Sequence, residues 1–174
     1  MAVTRVRSMW GLGALLLLLP GLGSAELSSQ ELLNFERFKG NWTGSGWGFY
    51  SDQHRESATC RVGVRPYGRP DRGGIDIRCM VGTYKVDGKA FDVTLQGAKA
   101  SGAWELPVLG IAGALSGRVT QTQLEANLHP QGVLYGSFTG HLSIKVETEC
   151  IASAIGSIDA PTDLKRIAVT LHRC

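Results

Sequence analysis

The sequence predicts an all-β domain, an antiparallel meander closed as a barrel or packed as a sandwich, with a short N-terminal helix. Three observations carry that expectation. Short apolar or alternating stretches recur between turn signals along most of the chain. Glycine supplies 23 of 174 residues, against an ordinary share of about 7%, and dense glycine between apolar stretches suits tight turns and barrel corners. After Gly40 no long helical period appears.

Taken in order, residues 1–25 read as a leader. Arg5 and Arg7 form a positive start, Trp10 to Leu19 a short apolar run, and Gly23-Ser24-Ala25 a small-residue cleavage site after Pro20. The run is short for a membrane-crossing helix, so a cleaved signal peptide is preferred to a retained anchor. Residue 26 is Glu, which gives no lipoprotein cysteine at the cut. The remaining chain, 26–174, is expected to be a single disulfide-tied domain in the periplasm or outside the cell. Removing two arginines and no acids from 18 basic and 15 acidic residues leaves a net charge of +1. That balance argues against nucleic acid as a partner.

Ser28 and Glu31 make a capping-box pattern, and Leu32, Phe35 and Phe38 follow at helical spacing. Gly40 ends that helix. Strands are expected at 42–50, 56–65, 74–86, 90–96, 102–106, 111–120, 123–129, 133–139, 142–151 and 164–172. Breaks fall at Ser51-Asp52, Asp87-Gly88, Pro107 and Pro130-Gln131-Gly132. Phe91, Val93 and Leu95 alternate with polar residues, as do Leu142, Ile144 and Val146.

Four cysteines in an exported chain favour disulfides, with three connectivities open. A hairpin folded about Arg69-Pro70 pairs Cys60 with Cys79, Ala58 with Val81, Val62 with Ile77 and Val64 with Ile75. Every pair on that face is small or apolar, as a register fixed by a buried face requires. Cys150 and Cys174 are likewise centred on Thr162. That folding puts Ile151, Ile155, Ile167, Val169 and Leu171 on the face opposite the cysteines, so the second bridge lies outside or a bulge shifts the register. No Cys-x-x-Cys or clustered Cys/His spacing points to a metal.

Phe38-Lys39-Gly40-Asn41-Trp42 resembles the Gly-x-Trp opening of lipocalins and other calycin-like barrels. The resemblance implies a short helix before the first strand and a Trp42 that closes one barrel end, with Arg166 or Arg173 packed on it. The chain is also similar to a group of small exported bacterial proteins of uncharacterised function, through Trp42, Cys60 with Cys79, the Ser101–Gly117 stretch and Arg173-Cys174. It departs from lipocalins in lacking a Thr-Asp-Tyr motif and in its disulfide pattern.

Trp47, Phe49, Trp104 and Tyr135 are candidate linings for a small apolar ligand in a barrel mouth; the alternative is ordinary packing. Arg65, Arg69 and Arg72, with Arg61 and Arg78, cluster on the first hairpin and suit an acidic envelope component or protein; the alternative is a solvated tip. His54, His129, His141 and His172 show no metal spacing, and no Gly-x-Ser-x-Gly elbow accompanies Ser116. Glu147 and Glu149 read as a solvated strand edge. The sequence therefore predicts no catalytic residues, metal or cofactor. It leaves two readings: a ligand-binding barrel whose mature form does not span a membrane, or an interaction module acting through its loops.

Overall fold

A computed structural model describes residues 35–131, 139–159 and 162–174. It contains ten strands: β1 Gly40–Tyr50, β2 Arg55–Pro66, β3 Arg72–Val81, β4 Tyr84–Gln96, β5 Lys99–Leu106, β6 Ile111–Val119, β7 Gln123–Pro130, β8 Thr139–Val146, β9 Ile151–Asp159 and β10 Leu164–His172. Each pairs antiparallel with the next, and β10 closes on β1. The meander is a closed barrel.

Period-two alternation builds the wall. On β2, Ala58, Cys60, Val62 and Val64 point inward, while Thr59 and Arg61 face solvent. The buried residues described are all apolar. No described helix is long and apolar enough to cross a membrane.

Glycine lets the wall bend. A Cβ at Gly44 or Gly46 would overlap the backbone carbonyl of Thr170 or Ala168 on β10. Gly113 and Gly117 on β6 stand in the same relation to His129 and Glu125 on β7. β1 and β6 are five places apart in a ring of ten, so the two close approaches lie on opposite walls. They act as corners that let neighbouring strands coil tightly.

The β2–β3 hairpin has the expected register, with Cys60 bonded to Cys79 and Cα atoms 4.1 Å apart. Cys150 is bonded to Cys174, but just beyond the strand ends, because β9 and β10 pair one residue out of the symmetric register. Val169 therefore opposes Ala154 and Leu171 opposes Ala152, and Ile151 and Ile155 face outward. In 151–155 Ile151 and Ile155 lie on one face and Ala152 and Ala154 on the other, so the pattern alone fixes no register. Packing between Ile144 of β8 and Val169 of β10 selects the small residues for the interior.

Two other boundaries differ. Asp87-Gly88 continues β4, with Lys85 bridging to Asp87 at 2.8 Å; the turn is at Gly82-Thr83, where Gly82 takes the positive φ of 55° that a two-residue hairpin loop needs. Glu147 and Glu149 sit in a turn rather than on a strand, because the Thr148 hydroxyl accepts the N–H groups of Cys150 and Ile151. Near the N-terminus the described residues begin with a 3-10 turn, Phe35–Arg37. Ser28, Glu31, Leu32 and most of the expected strand 133–139 lie outside the described residues.

Candidate binding cavity

The two ends of the barrel are built differently. At the end where β1 begins, Phe35, Phe38 and Trp42 are buried together. The Trp42 indole N–H donates to the Phe38 carbonyl at 2.8 Å. The Arg173 guanidinium lies 4.3 Å from the Trp42 ring centre and donates to the carbonyls of Arg37, Lys39 and Glu149. Of the two arginines that the lipocalin resemblance offered, Arg173 takes this place. That end is plugged.

Beyond the middle of the barrel the lumen opens into a cavity of about 170 Å³. Its inner wall includes the Cys60–Cys79 bridge, Val86, Trp104, Leu142, Ala154 and Val169, and its mouth lies near Tyr84, Leu106, Leu109, Thr162 and Leu164. The space exists because inward positions there are small. A Cβ built on Gly156 meets nothing within 4 Å, and Gly88, Gly140 and Ala154 line the same region. Trp104 stands opposite Gly113, which leaves room for its ring, and its N–H donates to the Ala114 carbonyl at 3.0 Å. With that hydrogen bond made, the ring presents apolar surface to the cavity.

Polar pairs lie on the outward positions of the surrounding strands: Lys89 pairs with Glu105 at 3.4 Å, and His141 Nδ1 hydrogen-bonds Asn127 Oδ1 at 3.2 Å. A 3-10 turn, Pro107–Leu109, forms part of the lip and leaves Val108 56% exposed. Tyr50 lies nearby in a cluster with stacked His54 and with Glu56, 3.3 Å from the phenol oxygen. Burial pushes the Tyr50 phenol above its ordinary range, and the Glu56 carboxylate adds to the shift.

Of the four aromatic candidates, the structure places Trp104 in the cavity wall. Trp47 and Phe49 are corrections: both face outward from β1 and do not line the lumen. Their odd separation from inward-facing Trp42 dictates this, since alternate residues of a strand face opposite sides. Tyr135 lies outside the described residues. Sequence reasoning passed over Gly140, Ala154 and Gly156, whose only signal was small size at inward positions.

The arginine hairpin is partly self-neutralised. Arg69 grips Asp71 through two hydrogen bonds of 2.8 and 2.9 Å, and Arg65 lies 3.7 Å from Asp76. Arg72 is exposed beside them. The Arg69 hydrogen bonds hold the Asp71 carboxyl below the usual carboxylate range. On the outer wall Ser116 Oγ is 3.1 Å from His129 Nε2, and His141 is engaged with Asn127. Among the described residues no group of three or more His, Cys, Asp or Glu is placed to hold a metal. No protein-family model matches the chain, and no curated protein matches it.

Proposed function

We propose that this chain is an exported calycin-like barrel that binds a small apolar or amphipathic ligand in its lumen, without catalysing a reaction on it. The observation that carries this reading is the one-ended cavity, walled by apolar side chains and left open by Gly156. An apolar cavity of roughly 150 Å³ already takes a benzene-sized ring. Burying an ionised group at its depth is costly where the surrounding side chains are apolar, so any polar part of the ligand belongs at the mouth. Two formed disulfides favour an oxidising compartment, the periplasm or the exterior.

Titration with 1-aminoanthracene, a neutral aromatic fluorophore, tests the reading. Saturable, blue-shifted emission with quenching of Trp104 is expected, and Gly156→Leu should abolish it by filling the space. Emission unchanged in a folded Gly156→Leu protein would sink the lumenal site.

A further inference from the structure

The outer wall carries a second feature, independent of the lumen. β2, β1 and β10 lie side by side, and their outward residues fall into rows. One row runs Arg166, Phe49, Arg55; the next runs Ala168, Trp47, Ser57. The Arg55 guanidinium stacks on Trp47 at 4.5 Å, and the Arg166 guanidinium lies over Phe49 at 5.7 Å. Trp47 remains 44% exposed. Unlike Arg65 and Arg69 on the hairpin, neither stacked arginine has an acidic partner among the described residues.

We propose that Trp47, Phe49, Arg55 and Arg166 form a docking surface for an acidic segment of another protein. The segment would set two carboxylates about 10 Å apart, the separation of two strands flanking a third, with an apolar side chain between them. Closure of the barrel leaves no strand edge in the wall for a partner to extend, so a partner that meets the wall meets a side-chain face. Stacking on the aromatic rings holds the guanidinium planes in place while their N–H edges stay available to carboxylates in paired hydrogen bonds. An exposed tryptophan bordered by arginines also has the composition of an interface hot spot. A second copy of the same patch would bring its own unpaired arginines, and like charges exclude that pairing. A sugar ring finds one face of Trp47 already covered by Arg55. In a polyproline II segment, an acid at every third residue repeats on one side at about 9 Å, close to the required spacing.

The probe is a fluorescein-labelled peptide of three Glu-Pro-Leu repeats, followed by anisotropy against the whole oxidised protein. Binding should saturate, weaken with salt, and fall at least about tenfold for the Gln-Pro-Leu counterpart and for Arg55→Ala with Arg166→Ala. Trp47→Ala should also weaken it, whereas Gly156→Leu should leave it unchanged. In amide and indole NMR spectra, the Trp47 indole signal should move and the Trp104 signal should not. The proposal is overturned if the peptide does not bind or the glutamine peptide binds equally well. It is equally overturned if Arg69→Ala with Arg72→Ala removes binding and the wall variants do not. Dextran sulfate binding at Trp47 without peptide binding would instead assign the face to anionic polysaccharide.

Discussion

One wall serves two unlike ends. At the plugged end, Phe35, Phe38 and Trp42 fill the lumen and Arg173 locks them through three carbonyls. At the open end, β4, β8 and β9 present Gly88, Gly140, Ala154 and Gly156, and the interior stays partly empty. Closure of a sheet thus decides neither packing nor vacancy. Side-chain volume at inward positions decides it, one level at a time along the axis.

The difference can be broken from the plugged end first. Trp42→Ala removes the largest plug and should cost about 3–5 kcal/mol in chemical denaturation, with no collapse of the wall able to refill so large a gap. Replacing Cys150 and Cys174 by alanine should cost about 2–4 kcal/mol, read as a lower denaturation midpoint under oxidising conditions. Arg173→Ala keeps that midpoint closer to wild type, losing about 1–3 kcal/mol from the ring contact and the released carbonyls. Its rescue by Arg173→Lys should be incomplete, because an ammonium does not reproduce the planar stack.

At the open end the sign should change. Gly156→Leu adds apolar surface where space already exists and restricts the unfolded chain, so it should be neutral or stabilise by up to about 1 kcal/mol. A loss of several kcal/mol at this position would mean that the space is not there. The smallest effect is electrostatic. Because the Asp71 pKa is lowered in the folded chain, its bond to Arg69 stabilises above the unfolded carboxylate pKa and is lost as pH falls through the folded value. Asp71→Asn should therefore flatten the acid limb of a pH–stability curve slightly and leave neutral pH almost unaffected, as exposed pairs do.

The contrast between the two hairpins explains how much of this was legible. Around Cys60 and Cys79, one face is entirely small or apolar and the other polar, so a single register satisfies the chain. Residues 151–155 carry apolar side chains on both faces, and only the neighbouring strands choose between them. The plug was legible in Phe38 and Trp42. The cavity was not, because emptiness is a property of positions that face one another across the ring, here Gly88 on β4 and Gly140 and Gly156 on the neighbouring strands β8 and β9. Trp47 and Phe49 drew notice as aromatics, but only the parity set by Trp42 reveals which side they take. The arginines that stack on them lie on strands whose adjacency to β1 appears only when the ring closes.

That closure has a kinetic consequence. Nine of the strand pairings join sequence neighbours, whereas Thr43 must find His172 across nearly the whole barrel sequence. Contacts of such separation carry loop entropy before they return any stabilisation, so topologies that need them fold in roughly milliseconds to seconds. Both disulfides are short-range, spanning 19 and 24 residues, and staple hairpins without stapling the seam. Until β10 arrives, β1 and β10 each display a raw edge able to recruit another chain. The contact between Arg173 and Trp42, which straddles that seam, is thus also a clasp whose late formation separates a sealed molecule from an aggregation-prone ribbon.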